Sequence, residues 1–477
     1  MTAVQPTLPP SHVSEPSVPG TSMTYLGGPP LRRYLIVYIL AMAAITAVNG
    51  GIGGILLPLQ VQDIEFAHWF TGTDAGANLQ HLTDLKAAVE AGTTTATAHQ
   101  QHQLDLLASY EAARASHLSI VTGVGAIAMM IVQPVVGLLS DRTRSRWGRR
   151  APWIAAGAVL GAALMLAVRY SAGIGLLITF WALVQLMMNA AQGSLNTTVP
   201  DRIPENKLGT ASALSGIGTL LGVLVGALSA GALFDVMGLD TYYPFAVALG
   251  VTGLLFVLVA RDRSSTNLQV PEANWTDLLK SYLIPLRSSD FRWVWFAGLM
   301  VMLSYGASNA FNLYMLQSYI RPALSTADAT RLIPLMTIAI IPGTVISMLV
   351  TGRWSDRIGR RKPFVIGASA LFAVSMAVPL VWPTLPAMFV QNILGGLGAG
   401  CYLAVDRALL IEVLPDREAA GRDLGVGATG INLGQAIGPV LAGQLVVLTG
   451  GYGGVWVLSL IAALIGAAAI LRVRNVR

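Results

Sequence analysis

Twelve long apolar stretches with very few charged residues are the feature that most constrains the fold of this chain. They lie at roughly 34–60, 118–139, 151–170, 174–199, 210–234, 244–260, 293–318, 331–351, 363–382, 386–411, 424–448 and 453–472. A helix needs about 20 mostly apolar residues to cross the hydrocarbon core of a bilayer. We therefore predict an all-α membrane protein with twelve transmembrane helices.

The composition excludes several classes of protein. Only 11% of the 477 residues are charged, against about 25% in soluble domains. This is too few for a soluble enzyme, a nucleic-acid binder or a disordered scaffold. The single cysteine, Cys401, excludes an intramolecular disulfide and a cysteine-rich metal site. The sequence shows no nucleotide-binding loop, nucleophile elbow or metal motif, so we expect no enzyme activity, no cofactor and no metal.

The basic residues predict the orientation in the membrane. If the twelve spans are correct, 24 of the 30 Lys and Arg residues lie on the side that holds both termini, five lie on the other side, and Arg407 lies inside a span. Short cytoplasmic loops carry an excess of Lys and Arg. The sequence therefore predicts a multi-pass plasma (inner) membrane protein with both termini in the cytoplasm.

The two halves of the chain repeat each other. The pattern Gly-x-x-Ser-Asp-Arg begins at Gly137 and again 215 residues later at Gly352. Pro-Asp-Arg begins at Pro200 and at Pro415, with the same offset. Each pattern follows the second or the fourth span of its half. Such an internal repeat predicts two pseudo-symmetric six-helix bundles with a binding site between them.

The predicted domains follow from this repeat and from local composition. The Pro-, Ser- and Thr-rich segment 1–31 lacks an apolar period, and we expect a disordered cytoplasmic tail there. The remaining units are an N-terminal bundle at 32–260, a charged cytoplasmic linker at 261–292, a C-terminal bundle at 293–472 and a cytoplasmic tail at 473–477.

An acidic insertion at 62–117 separates the first two spans on the extracytoplasmic side. It contains five of the six histidines, and its stretches 78–91 and 97–116 have helical patterns that could cap the mouth of the protein. His99 and His102 alone make a weak ligand set for a metal or a pH sensor. We interpret the insertion mainly as a solvated extension that the fold does not require.

The repeated loop carries a resemblance to a known family. The segment 352–362, Gly-Arg-Trp-Ser-Asp-Arg-Ile-Gly-Arg-Arg-Lys, resembles the loop signature of the major facilitator superfamily. The first copy, 137–153, is longer and is similar to the loop of sucrose:proton symporters and glycoside–pentoside–hexuronide:cation symporters. The resemblance covers essentially all of 32–472. One departure is that the fourth span has no arginine, whereas the tenth carries Asp406 and Arg407.

The resemblance implies a cytoplasmic gate, in which acid–arginine ties hold the halves together when the cavity faces outward and break when it opens inward. The implied gate residues are Asp141, Arg142, Arg149, Arg150, Asp356, Arg357, Arg360 and Arg361. The alternative is that these basic loops only orient the protein. That alternative explains the arginines, but it leaves the repeated aspartate and glycines unexplained.

Polar residues inside the spans are candidates for substrate binding, because such groups are costly in lipid unless they face water or a partner. The candidates combine amides with aromatic rings, which suits an uncharged, hydroxylated ligand. They are Asn49, Trp181, Gln185, Asn189, Gln192, Tyr305, Asn309, Asn312, Asn392 and Tyr402. The alternative for each residue is an amide that bonds a neighbouring helix.

Asp406 and Arg407 are the candidates for ion coupling, since they are the clear ionisable pair inside a span. Asp406 could carry a proton while Arg407 tunes its pKa. Arg407 could instead be a structural relay to Asp356 or to a helix end. If Asp406 carries no proton, coupling through the acids at the outer mouth, which are Asp63, Glu65, Asp235 and Asp240, or uniport becomes credible.

The function predicted from these features is secondary active transport. We expect a cation-coupled, most simply proton-coupled, symporter of a sugar or glycoside that works by alternating access. The expected partners are a small-molecule substrate, protons and the lipid bilayer, with no nucleic acid, and the expected state is a monomer. A proton-coupled efflux antiporter for drugs or metabolites is the alternative. A non-transporting receptor fits less well, because both gate loops are intact.

Overall fold

The computed structural model of the chain describes residues 28–204, 207–266, 284–415 and 420–474, and two short strands, Val13–Ser14 and Thr24–Tyr25, that pair antiparallel. The α-helices of these residues are α1 Gly28–Ala47, α2 Leu57–Trp69, α3 Leu79–Glu90, α4 Ala98–Arg142, α5 Ala151–Arg169, α6 Ile174–Arg202, α7 Leu208–Met237, α8 Tyr242–Val259, α9 Ser289–Ala310, α10 Asn312–Ser318, α11 Thr326–Ile358, α12 Lys362–Val381, α13 Leu385–Glu412, α14 Ala420–Thr449 and α15 Gly453–Leu471. A π-helix, Val48–Leu56, joins α1 to α2. The predicted all-α membrane fold is confirmed.

The membrane-spanning helices agree with the predicted spans. Ten helical stretches of the described residues are long and apolar enough to cross a bilayer, and the bent pair α9–α10 is an eleventh. One of the ten, Ala213–Val259, has 47 residues and contains both α7 and α8, which is about twice the length that one crossing needs. Counted as two helices, this stretch brings the number to the twelve predicted.

The chain reverses direction between α7 and α8. Gly238 interrupts the helix with a φ of +58°, a backbone conformation that favours glycine because it has no Cβ. The Phe256 ring of α8 lies 5.9 Å from the Tyr34 ring near the start of α1, and Phe245 lies against Gly51 farther along. Helix α8 therefore runs antiparallel to α1, whereas α7 runs parallel to it.

The helices begin and end within a few residues of the predicted domain boundaries. Helix α1 begins at Gly28 and α9 at Ser289, inside the predicted tail and linker. Most of the predicted tail 1–31, the linker residues 267–283 and the last residues 475–477 lie outside the part of the chain that the structure describes.

Helices α1 and α7 pack with their backbones in direct contact at glycines. A Cβ at Gly222 would lie 2.0 Å from the Thr46 hydroxyl oxygen, and a Cβ at Gly226 would lie 2.2 Å from the Ala47 carbonyl oxygen. Small residues allow this approach in membranes, where close packing replaces the hydrophobic effect between helices. Gly216, on the same helix, faces open space with no atom within 4 Å.

We therefore expect Gly226→Ala to destabilise the protein while Gly216→Ala does not. The methyl group would overlap backbone atoms that cannot rotate away, and overpacking of this kind costs about 1–3 kcal/mol. Thermal unfolding of the detergent-solubilised variants measures the difference. Equal unfolding temperatures for the two variants would show that α1 and α7 leave room for a methyl group at Gly226.

The insertion at 62–117 is mostly helical. Helix α2 continues to Trp69, and α4 begins at Ala98, where Thr97 and Gln100 form a capping box. The predicted helices at 78–91 and 97–116 are present as α3 and the first part of α4. Buried Phe70, Leu82, Leu107 and Tyr110 give the insertion its own apolar core. The insertion is therefore a packed cap on the first half.

The two ends of the molecule, the insertion end and the terminal end, differ in the helices that lie there. The insertion end carries α3, and the terminal end carries the start of α1 and the end of α15. The two halves meet towards the insertion end, where a Cβ at Gly443 of α14 would lie 2.4 Å from Ser119 of α4. A Cβ at Gly231 of α7 would similarly lie 3.1 Å from the Pro334 ring of α11. These helix contacts close the insertion end.

Candidate functional site

The first helix of each half is interrupted within the membrane-spanning region. In the first half the interruption is the π-helix Val48–Leu56, which contains four glycines. In the second half α9 ends at Ala310 and α10 begins at Asn312 with a bend of 51°. Irregular helices inside a membrane occur where the backbone is buried in protein or lines a cavity, and π-helical turns are frequent at functional sites.

The π-helix has one packed face and one open face. A Cβ at Gly50 would lie 2.3 Å from the Val223 carbonyl oxygen, and one at Gly51 would lie 2.5 Å from the Phe245 ring. Asn49 and Gly54, by contrast, are exposed, although most residues around them in this helix are buried. The open face therefore presents the Asn49 amide together with bare backbone.

Trp181 of α6 lies beside the open face. A Cβ at Gly53 would lie 3.8 Å from its ring, and a Cβ at Gly125 of α4 would lie 3.0 Å from the ring on the other side. The indole is only 3% exposed. It therefore occupies the space between the first, second and fourth spans, where the two glycines leave room for it.

The asparagine candidates bond within their own helices. The Nδ2 atoms of Asn189, Asn309 and Asn392 each donate to the carbonyl oxygen four residues earlier, at 2.8, 2.9 and 2.9 Å. These bonds differ from the predicted alternative, in which the amides would bond neighbouring helices. The same arrangement in α6, α9 and α13 holds each amide against its own helix.

Further polar atoms of the candidate set surround these amides. Gln185 Oε1 is buried and has no hydrogen-bond partner among the described residues. Asn312 Nδ2 donates to Asn309 Oδ1 across the bend, at 3.4 Å, and Gln192 is half-buried on α6. The Tyr305 ring packs edge-on against Phe372 of α12, so it contacts the interior of the second half.

Asp406 is buried on α13, with 8% of its surface exposed. It interacts electrostatically with the Tyr402 hydroxyl, one turn earlier, and that hydroxyl reaches α9, where a Cβ at Gly298 would lie 3.1 Å away. Asp406 lies 14 residues beyond Asn392, or about 21 Å along an ideal helix. The structure therefore separates the coupling candidate from this amide. The Arg407 side chain lies outside the described part of the chain.

The predicted gate of the first half is an ion-pair cluster at the terminal end. Arg150 contacts Asp141 at 2.5 Å and Asp201 at 3.3 Å, and Arg149 contacts Asp201 at 2.8 Å. Arg150 also donates to the Ser140 hydroxyl at 2.6 Å. All these residues belong to the first half, so these contacts hold one bundle together. This arrangement is the one expected when the ties between the halves are broken.

The second copy of the gate is more open. Arg361 pairs with Glu412 at 2.9 Å, and both side chains are partly exposed. Arg357 and Arg360 are exposed. The Asp356 side chain lies outside the part of the chain that the structure describes. In the first copy, Arg142 also takes part in polar contacts.

Sequence reasoning missed the buried pair formed by Arg202 and Asp262 next to the first gate. Their side chains are 1% and 2% exposed and lie 3.1 Å apart. Arg202 also donates to the Ala260 carbonyl oxygen at 2.7 Å and lies over the Tyr34 and Phe256 rings. The repeated Pro-Asp-Arg pattern was the available signal, since it marked Arg202 without its partner.

A second missed residue is Arg114, which joins the halves at the insertion end. Its guanidinium lies 5.0 Å from the Tyr110 ring centroid, 4.5 Å from that of Tyr314 and 5.9 Å from that of Tyr452. It donates to Gln317 Oε1 at 3.1 Å and to Ser318 Oγ at 2.5 Å. Burial raises the pKa of Tyr452, so this phenol stays neutral beside the cation. Three of the residues around Arg114, namely Tyr314, Gln317 and Ser318, belong to α10 in the second half.

Glu65, Asp235 and Asp240 at the mouth all form ion pairs or hydrogen bonds. Glu65 is 3% exposed, and its carboxylate accepts from Trp69 Nε1 at 3.2 Å and contacts His117 Nδ1 at 2.7 Å. Asp240 pairs with Arg169 at 2.9 Å. Asp235 pairs with Arg331 of the second half at 2.7 Å, where the partners are more exposed. Glu65 is thus a buried acid at this end, paired with the partly exposed His117.

The histidines of the insertion do not form a metal centre. His99 and His102 both approach Asp74, at 3.8 and 3.7 Å from its carboxylate oxygens. Their side chains are about 60% exposed. Among the residues that the structure describes, no group of three or more His, Cys, Asp or Glu side chains is arranged to hold a metal ion.

Comparison with curated proteins finds sequence similarity over short segments of the chain. Short segments match sucrose transport protein SUT1 of Oryza sativa subsp. japonica, at 53% identity over 51 residues, and multidrug resistance protein MdtL of Shigella flexneri, at 38% over 80 residues. The first covers 11% of this chain and 10% of the relative, and the second covers 17% and 20%. The chain thus matches about a tenth of the length of the sucrose transport protein.

The solved structures give a likeness of fold over almost the whole chain. The nucleoside transporter NupG matches with a TM-score of 0.66 at 13% identity, covering 94% of this chain and all of NupG. The human organic anion transporter MFSD10 matches with a TM-score of 0.59 at 14% identity, covering 93% of this chain and all of MFSD10. The model of the Major Facilitator Superfamily matches residues 35–327 and 294–477. The chain therefore belongs to the major facilitator superfamily.

Proposed function

We propose that this protein is a secondary transporter that carries a sugar or glycoside together with protons by alternating access. The observation that carries the proposal is the pair of interrupted helices, one at the start of each half, with Asn49, Trp181 and the Asn309–Asn312 bend at the interruptions. Irregular helix backbone inside a membrane is found where it is buried in protein or lines a cavity, and π-helical turns are frequent at functional sites. This makes a transporter a better interpretation than an enzyme.

The chemistry of these groups supports a neutral, hydroxylated substrate. Asn49 offers an exposed amide on the open face of the π-helix, beside the buried Trp181 ring, and Gln185 of α6 adds a buried, unpartnered amide oxygen. An amide gives donor and acceptor together, and an aromatic ring packs on the C–H face of a sugar. The matching segment of the sucrose transport protein agrees with this class.

With the proposed orientation, the structure represents an inward-open state of the transport cycle. The basic residues put the terminal end in the cytoplasm, and the helix contacts at the insertion end close the outer side. The gate cluster of Asp141, Arg149 and Arg150 is then on the inner side, with contacts inside one bundle. This is the state from which substrate would leave into the cell.

Uptake of labelled sucrose, glucose and other sugars into proteoliposomes tests the proposal. With an acidic exterior we expect accumulation that a protonophore collapses. Asp406→Asn should reduce gradient-driven accumulation to background and leave sugar exchange intact, because the amide cannot carry a proton. Asp105→Asn, an exposed acid on α4, is the matched control and should behave like the wild type.

The outcomes separate the remaining alternatives. Unchanged accumulation in Asp406→Asn, with loss in Glu65→Gln, would assign coupling to the Glu65–His117 pair. Efflux of dyes from loaded vesicles without sugar accumulation would favour the proton-coupled antiporter for drugs or metabolites, in line with the segment shared with a multidrug resistance protein. If neither sugars nor dyes move, secondary transport of these substrates is excluded.

A further inference from the structure

A cavity of about 390 Å³ lies at the insertion end, between the two halves. Its first-half wall comes from the end of α2, from α3 and from α4, and its second-half wall comes from the end of α10 and the start of α11. This volume falls within the range of small-molecule sites. This vestibule cavity is lined by no residue of the π-helix Val48–Leu56 and not by Phe311 at the α9–α10 bend. Its polar lining includes Gln62, Asp63, Asn78, Gln80, Gln317 and Thr326.

Two buried polar atoms on the wall of the vestibule cavity lack partners. Gln62 Oε1, on a residue that is 5% exposed, and Arg114 Nε, on a residue that is 2% exposed, have no hydrogen-bond partner among the described residues. The other end of each side chain is hydrogen-bonded. Gln62 Nε2 donates to Thr326 Oγ1 at 3.4 Å, and the terminal nitrogens of Arg114 donate to Gln317 and Ser318. Leaving a buried acceptor and a buried donor unpaired costs free energy.

Hydroxyl groups suit both kinds of atom, because a hydroxyl can donate to an amide oxygen such as Gln62 Oε1 or accept from an N–H such as that of Arg114. The Phe66 and Tyr110 rings, edge-on at 6.3 Å, supply the apolar part of the wall. Asp63 and Arg114 offset each other in charge, and Glu111, which lies 3.7 Å from Arg114, is offset by Lys86 at 3.0 Å. An uncharged ligand with several hydroxyls on a ring fits this wall better than an ion.

We propose that the vestibule cavity is a second binding site, which takes a neutral carbohydrate and exists only while the insertion end is closed. The ligand class rests on the proposed function, whereas the site itself rests on the cavity. Both halves contribute, because Gln62 bonds Thr326 and Gln80 Nε2 donates to the Ala323 carbonyl oxygen at 3.5 Å. A sugar bound here bridges the halves, so it holds the protein in this state and slows transport at high sugar concentration.

Protection of an engineered cysteine tests binding without any transport. Gln80→Cys, in a Cys401→Ala background, puts an exposed thiol at the rim of the vestibule cavity. Sucrose, glucose and maltose are the probes, and uridine and glycine are the comparison ligands. We expect the sugars to slow alkylation of this thiol several-fold. Gln101→Cys, an exposed glutamine on the same insertion but away from the cavity, is the matched control and should react at an unchanged rate.

A cavity-filling variant links protection to this site. Ala77 lines the vestibule cavity, and Ala77→Trp combined with Gln80→Cys should abolish the protection. The same variant alone should relieve inhibition at high sugar concentration and leave uptake at low concentration near the wild-type rate.

Several results would overturn the proposal. They are protection by no sugar up to the solubility limit, equal protection of the Gln101→Cys control, protection that survives Ala77→Trp, and protection by uridine or glycine instead of sugars. Sugar uptake without protection would refute this site and leave the proposed function standing. Protection without uptake would refute transport and leave the site standing.

Discussion

Arg114→Met is expected to release the closed insertion end. The guanidinium is almost fully buried, bonds Gln317 and Ser318 of the second half, and lies over three tyrosine rings. A desolvated cation–π contact contributes about 2 kcal/mol, and the charge-assisted hydrogen bonds add about 1.5–3 kcal/mol. Because these contacts cross between the halves, most of this energy favours the closed state. A loss of about 3 kcal/mol changes the ratio of closed to open molecules roughly a hundredfold.

A distance measurement between the halves checks this prediction. Spin labels at Asp84→Cys on α3 and Ala327→Cys on α11, both exposed positions, report the gap at the insertion end. We expect one short distance in the wild-type background and a second, longer one in Arg114→Met. Arg169→Met is the control, since Arg169 pairs with Asp240 of its own half. An unchanged distance distribution in Arg114→Met would mean that other contacts keep this end closed.

Arg202→Met is expected to be the most destabilising substitution at the terminal end. It removes the partner of Asp262, which is 2% exposed, and the donor to the Ala260 carbonyl. Removing one member of a buried ion pair costs about 3–5 kcal/mol, because the other charge stays buried. Thermal unfolding should show a large fall in the unfolding temperature.

Two further variants separate the ion pair from general packing. Arg361→Met breaks the partly exposed pair with Glu412 and should cost less than about 1 kcal/mol. Arg202→Met combined with Asp262→Asn should recover part of the lost stability, since the unpaired charge is gone. If Arg202→Met and Arg361→Met unfold at the same temperature, the buried pair contributes little.

The fold was predictable because its main constraints are local. Each apolar run must become a helix in the bilayer, since every backbone polar group must be satisfied within the segment. The helices at 78–91 and 97–116 were also visible in the pattern. Two continuations were not visible: that of α2 to Trp69, and that of the helix at 97–116 into the second span as the single helix α4. Polar residues outside the membrane can continue a helix without an apolar signal.

The site was predictable only as a set of candidate residues. Spacing placed Gln185 and Asn189 on one helix face, but it could not show that Asn189 bonds the Gln185 carbonyl. It also could not show the π-helix around Asn49, which depends on how Gly50 and Gly51 meet α7 and α8. Arg114 and Arg202 were counted only as basic residues, because their burial depends on aromatic rings that are distant in sequence.

The length of α4 has a mechanical consequence. Its 45 residues extend about 68 Å, roughly twice the thickness of the hydrocarbon core. One continuous rod therefore runs from the gate at the terminal end, through the membrane, into the insertion. When the first bundle tilts, the far tip of this rod moves the most, because displacement grows in proportion to the distance from the pivot. The insertion thus acts as a long lever arm, on which a small force outside the membrane exerts a large torque on the bundle.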